Sequence, residues 1–232
     1  MKTLFHSNGK LLITAEYFVL AGAKALAVPS QYGQSLHYKR EDQNCLLWNS
    51  FDHQGEIWYK GEFELENLLE KGAQKTKIGS KLTQILQATR VLNPSFLSHG
   101  GQVDTHLEFD RHWGLGSSST LISNISQWAK VNPFNLLDIT FGGSGYDISC
   151  ASAKSAIHYT KNEVTPEVVP VSFNPPFASN LFFVYQNSKQ NSQAEIERTK
   201  SIPFHEVERM NQLTETITLC NNQAEFNQLL LE

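Results

Sequence analysis

Apolar and polar positions alternate over residues 103–109, where Val103, Thr105, Leu107 and Phe109 share one side, the period-two pattern of a half-buried strand. The period then changes. After a glycine- and serine-rich stretch, Leu121, Ile122, Ile125, Trp128 and Ala129 form one stripe at helical spacing over residues 119–130, stopped before Asn132-Pro133. The pattern predicts strand, loop, helix. Upstream, Ile78, Leu82, Ile85 and Leu86 repeat as a helix that Asn93-Pro94 ends, because the residue before proline is pushed out of the α region. Residues 10–13 and 25–28 read as short strands flanking a bend that carries Glu16 and Tyr17. Residues 35–40, 45–48 and 56–63 read as strands of antiparallel hairpins, the last two separated by the turn Asp52-His53-Gln54-Gly55.

A second glycine-rich turn, Gly142-Gly143-Ser144-Gly145, precedes a segment that could be helical or extended, and residues 156–159 read as a further strand. Pro166, Pro170, Pro175 and Pro176 fall within residues 165–178 and mark the best domain boundary in the chain. Beyond them the pattern predicts a strand at 181–185 and helices at 195–200, 204–219 and 223–231. No internal repeat or low-complexity tract occurs.

Composition narrows the function classes. A chain of 232 residues with 40% hydrophobic content can bury a sizeable core, as one large domain or two small ones. A net charge of -4 and the lack of a long Lys/Arg run argue against nucleic-acid and membrane-surface partners, whose phosphates demand a basic face. Cys45, Cys150 and Cys220 are odd in number and far apart, which suggests reduced thiols rather than a disulfide framework or zinc site. With no apolar signal region at the start and no apolar run long enough to span a bilayer, a cytoplasmic location is expected.

Three stretches could carry chemistry. The loop Gly114-Leu115-Gly116-Ser117-Ser118-Ser119 opens a helix and offers a phosphate close backbone approach, N–H donors and the positive helix end. It is neither GxxxxGK[ST] nor GxGxxG, and a flexible connection with a serine N-cap remains the alternative. In Gly143-Ser144-Gly145-Tyr146-Asp147 the glycines could project one carboxylate into a cleft as a general base or hydroxyl anchor, or the aspartate could simply cap a turn. Asn8-Gly9-Lys10 and Glu16-Tyr17 place an amine and a carboxylate on either side of a short strand. They are a solvated surface pair or, if Lys10 is buried near the loop, its ammonium could neutralise a transferring phosphoryl group and hold Asp147 ionised.

Together these stretches resemble the GHMP small-molecule kinases. Residues 9–17, Gly-Lys-Leu-Leu-Ile-Thr-Ala-Glu-Tyr, ending in Ala25-Leu26-Ala27-Val28-Pro29, look like that superfamily's first motif, and residues 114–119 look like its second. Gly145-Tyr146-Asp147 aligns with the segment carrying its catalytic aspartate, and the Glu-Tyr and Gly-Ser-Gly-Tyr-Asp-Ile features look most like the mevalonate and phosphomevalonate kinase branch, with Ser149 where bacterial Gly-Tyr-Asp-Ile-Ala kinases have alanine. The resemblance, over roughly residues 5–190, implies an α+β fold of two domains. These are an N-terminal β-rich domain with helices, of the ribosomal S5 domain 2-like kind, over residues 1–172, and an incomplete ferredoxin-like α/β domain over 173–232.

The resemblance also implies ATP and Mg2+ as cofactors and a small-molecule acceptor, mevalonate or phosphomevalonate first, with a homodimer compatible. Residue by residue it gives Gly114, Leu115, Gly116, Ser117, Ser118 and Ser119 the ATP phosphates, and the Ser118 hydroxyl a Mg2+. Asp147 and Lys10 become catalytic, and Glu16, Tyr17 and Ser144 line the acceptor pocket. Three departures stand out. Ala15 replaces the usual glycine, only Asp138 lies where a second metal-binding carboxylate is expected, and the third glycine-rich motif is expected beyond Glu232. The incomplete second domain would leave Ile217, Leu219, Phe226 and Leu230 short of packing partners and favour self-association. Competing readings are a homoserine or sugar kinase, a diphosphomevalonate decarboxylase, or a nucleotide-binding protein without turnover.

Overall fold

The computed structural model describes residues 2–72, 76–187 and 202–232. Seven strands are present in them: β1 (Lys2–Leu12), β2 (Ala25–Arg40), β3 (Cys45–Phe51), β4 (Ile57–Glu64), β5 (Gly101–Leu107), β6 (Ile157–Thr160) and β7 (Glu167–Pro170). The helices are α1 (Lys77–Leu92), α2 (Ser117–Ala129), α3 (Pro133–Asp138), α4 (Tyr146–Ser152), α5 (Phe204–Leu219) and α6 (Gln223–Leu229). The architecture is α+β. The chain divides into two units, the first comprising residues 1–9, 31–111 and 115–143, the second 10–30, 112–114 and 144–232.

In the first unit the strand order is β4-β3-β5-β2. β3 and β4 form the expected antiparallel hairpin, whose turn is closed by the Asp52 carboxylate accepting from the N–H groups of Gln54 and Glu56, both at 2.9 Å. β5 runs parallel to β3 and antiparallel to the second half of β2. Alternate residues of β5 are buried, Val103, Thr105 and Leu107 among them, as are Leu82, Ile85 and Leu86 of α1 and Ile122, Ile125 and Ala129 of α2. These positions are the ones the periodicities mark. Arg90 near the end of α1 donates to four carbonyls, those of Leu65, Glu66, Phe96 and Leu97 at 2.7–3.2 Å. One guanidinium thereby fixes two loops.

In the second unit the first half of β2 pairs with β6, with Leu26 opposite His158, and β6 pairs with β7. α5 is tied down by polar contacts: Thr14 and Thr214 share a hydroxyl hydrogen bond of 2.8 Å, and Asn211 accepts from the Lys24 N–H at 2.7 Å. Two apolar clusters result. One joins Ala15, Val19, Ala25, Cys150, Ile157 and Tyr159; the other joins Leu26, Phe177, Ile217, Cys220 and Phe226.

Several expectations need correction. The two short strands predicted at 25–28 and 35–40 are one 16-residue strand, β2, because neither Pro29 nor Gly33 interrupts it. Residues 181–185 form no strand. Their exposed side chains, Phe182 at 83% and Val184 at 75%, have no neighbouring strand to pair with among the described residues, and an isolated strand leaves its backbone groups unsatisfied. Of the four helix residues expected to lack packing, Ile217 and Phe226 are buried, and only Leu219 and Leu230 are exposed. The helix predicted at 195–200 lies outside the described residues. The proline-bearing stretch 165–178 holds β7 as well as irregular chain.

Candidate functional site

The phosphate-loop candidate is built around an abrupt start to α2. Gly114 and Gly116 both occupy left-handed backbone, with φ 76° and 89°, and Gly116 is the N-cap. Glycine adopts this conformation without the Cβ conflict that penalises other residues. It also brings no capping side chain, so no side-chain hydrogen bond closes this helix start and no acid stands in its first turn. The first N–H groups of a helix have no intrahelical partner and carry partial positive charge. Ser118 is exposed at this end, whereas Leu115 and Ser119 are buried.

The rest of α2 is held by buried polar contacts. The Thr120 hydroxyl donates to Gln34 Oε1 at 2.8 Å, Asn124 donates to the Gln34 carbonyl at 2.8 Å, and Ser7 donates to Ser123 and Asn124 at 2.8 Å each. The helix start is therefore rigidly supported while its tip is open.

In the second unit, Lys10 lies near the end of β1 and donates to the Gly114 carbonyl at 3.1 Å, with its ammonium 5.3 Å from the centre of the Tyr146 ring. Tyr146 begins α4, whose N-cap is Gly145 at φ 87°, again with no capping side chain. Asp147 follows in the first turn and its Oδ1 accepts from the Ile148 N–H at 3.0 Å. Burial pushes the Tyr146 phenol well above its ordinary range, and the charges of Asp147 and Glu16 push it further. Burial also raises the Cys150 thiol to about 12, with Asp147 adding to the rise and Lys10 opposing it. Thus Lys10, Glu16 and Asp147 all act on one small neighbourhood whose hub, Tyr146, the sequence reading left without a role. Ser144 contributes its carbonyl, which accepts from the Tyr159 hydroxyl.

The segment presenting Glu16 is strained. Ala15 has φ 63° and Tyr17 has φ 66° and ψ -40°, and the Phe18 N–H bonds back to the Glu16 carbonyl at 2.8 Å, a γ-turn of the rare positive-φ kind. Each such residue costs on the order of 1–3 kcal/mol and persists only where its surroundings enforce it. Ala15 takes a positive φ, where glycine would be free of strain, and its methyl is buried in the core. Exposed Glu16 sits at the apex between the two strained residues.

Asp138 ends α3 in the first unit and is exposed. Among the described residues no group of three or more His, Cys, Asp or Glu could hold a metal ion. At the helix tip Ser117 is half-exposed and Ser118 exposed, and no carboxylate stands in the first turn. No helix among the described residues is long and apolar enough to cross a membrane.

Solved structures share this fold. The chain superposes on the mevalonate kinase of Methanococcus jannaschii with TM-score 0.69 at 12% identity, covering 99% of this chain and 76% of that one. Against the Streptococcus pneumoniae phosphomevalonate kinase, solved with phosphomevalonate and AMPPNP, the values are 0.66, 12%, 99% and 78%. For the galactokinase of Lactococcus lactis complexed with galactose they are 0.61, 14%, 98% and 72%. No protein-family model matches the sequence, and no curated protein matches it. The fold is shared with these mevalonate kinase, phosphomevalonate kinase and galactokinase structures.

Proposed function

We propose that this protein is an ATP-dependent kinase of a small hydroxyl or phosphate acceptor, with mevalonate and phosphomevalonate the first candidates. The observation that carries the reading is the start of α2: a left-handed glycine, no capping side chain, no acid in the first turn and an exposed serine. That arrangement leaves the positive end of a helix to an external anion. ATP phosphates would lie against the N–H groups that follow Gly116, with residues 114–119 as the cradle. Mg2+ bound with the nucleotide would neutralise phosphate charge, and Ser118 is the hydroxyl that would meet it.

In the transfer step the acceptor oxygen attacks the γ-phosphorus, the bond to the bridging oxygen of the β-phosphate breaks, and ADP leaves. Asp147 accepts the acceptor's proton or, for a phosphate acceptor, orients the attacking oxygen. Lys10 offsets the growing negative charge near Asp147, which positioning and electrostatics require in a reaction with little covalent chemistry for the protein to perform. Glu16, held at its strained apex, Tyr17 and Ser144 shape the acceptor pocket. The acceptor assignment is supported by the Glu-Tyr and Gly-Tyr-Asp-Ile motifs and by the presence of mevalonate and phosphomevalonate kinases among the matching folds.

An ATP-consumption screen over mevalonate, phosphomevalonate, homoserine and galactose tests this, with Asp147→Asn as control. Acceptor-dependent ADP release that is lost in the variant is expected. Nucleotide binding without turnover on any acceptor would instead assign a non-catalytic nucleotide-binding role.

A further inference from the structure

At the opposite end of α2 from the phosphate loop, about 20 Å along a 13-residue helix, the first unit contains a cavity of about 350 Å3. One wall is aromatic. The Trp128 ring centre lies 4.5 Å from that of Tyr38 and 4.7 Å from that of Phe96. Arg40, Lys130 and His99 also line the cavity, and no aspartate or glutamate does. Among the described residues neither Arg40 nor Lys130 is in a salt bridge, while nearby Glu41 is already held by Lys39 at 2.6 Å. Two permanent positive charges, both on exposed side chains, therefore border one concave space that no carboxylate lines; the nearest acids, Glu41 and Asp42, line the adjoining pocket that shares Arg40 and His99.

The walls are also strained and braced. Lys130 closes α2 in left-handed backbone with φ 55°, a position usually taken by glycine, and Leu97 has φ 57°. Arg90 grips the carbonyls of Phe96 and Leu97, and Asn93 donates to the Ala129 carbonyl at 2.8 Å. The helix ends at Asn93 and Lys130 bring partial negative charge, roughly half a unit each. Their last carbonyls are partly turned onto protein donors, and the two full charges outweigh them.

We propose that this cavity is a second binding site, for a small phosphorylated molecule with a flat or apolar body. The phosphate sits between Arg40 and Lys130, where charge-assisted hydrogen bonds are strong and directional. The body lies against Trp128 and Phe96. The site stands apart from the phosphate loop and does not depend on the kinase reading.

The test titrates phenyl phosphate into the full-length 15N-labelled protein and follows the Trp128 indole N–H resonance, assigned with Trp128→Phe. Arg40→Ala removes one charge; Lys130→Gly removes the other while relieving the left-handed strain, so loss of binding there cannot be ascribed to misfolding. A saturable shift is expected, with the midpoint weakened about tenfold or more in each variant, as loss of a charged phosphate contact predicts. Ser118→Asp should leave the titration unchanged. Absence of a saturable shift, its persistence in both cavity variants, or its loss in Ser118→Asp would overturn the proposal.

Discussion

α2 and α4 both start on a glycine in left-handed backbone, Gly116 and Gly145, and neither has a capping side chain, yet they differ in what comes next. α4 carries its own anion: Asp147 stands in the first turn, where a carboxylate complements the helix dipole and takes up a local N–H. α2 carries three serines and no acid. The same local solution therefore serves opposite ends. One helix start holds a carboxylate of the protein; the other has none, and it is there that the proposed phosphates would lie. With glycine at the N-cap, forgoing a capping side chain costs only about a few tenths of a kcal/mol, and the buried Gln34, Thr120 and Asn124 contacts hold the helix in place without it.

The largest effect should come from removing the internal anion. Asp147→Asn is expected to lower acceptor-dependent turnover about 10²–10⁴-fold with little change in ATP affinity, read by steady-state ADP release beside calorimetric nucleotide binding. Equal loss of both would mean that Asp147 shapes the fold rather than the reaction. Making the two helix starts alike is the next test. Ser118→Asp should weaken ATP binding about tenfold or more by placing a carboxylate against the phosphates, while raising unfolding stability by about 0.3–1 kcal/mol through the dipole.

Gly116→Ala and Gly145→Ala should each cost about 1–2 kcal/mol in urea denaturation, the buried Gly145 more than half-exposed Gly116. A smaller, local readout is the Cys150 thiol in a Cys45→Ser, Cys220→Ala background. Its thiolate titration should move down in Asp147→Asn and up in Lys10→Met, the opposite signs reporting the two charges around it. Because the folded state keeps to about 12 a proton that the unfolded chain releases near 9.0, stability should also decline as pH rises through that interval.

The two helix starts differ as well in how far the sequence revealed them. Residues 103–130 were legible because strand alternation, glycine and helical spacing are all local signals, and α1 and α5 followed from the same periodicity. α3 was missed for an instructive reason. Asn132-Pro133 was read only as the end of α2, but the Asn132 side chain caps the next helix at 2.8 Å from the Phe134 N–H, with proline at its first position. The pattern at 181–185 had the composition of a strand but no partner strand beside it among the described residues, and pairing is a tertiary property. The strained turn at Tyr17 carries no glycine to announce it, and the part played by Tyr146 depends on Lys10 and Glu16, which lie far upstream in the sequence. The cavity near Trp128 draws its charges from Arg40 and Lys130, ninety positions apart.

The most direct test of the contrast is an amide NMR titration with ATP and Mg2+, following Ser117, Ser118 and Ser119 beside Asp147 and Ile148. The three serine amides should move together and saturate, and in Ser118→Asp the midpoint should rise about tenfold or more. Serine amides that stay in place while ATP binds, or an ATP affinity that Ser118→Asp leaves unchanged, would contradict the assignment of the α2 start as the phosphate cradle.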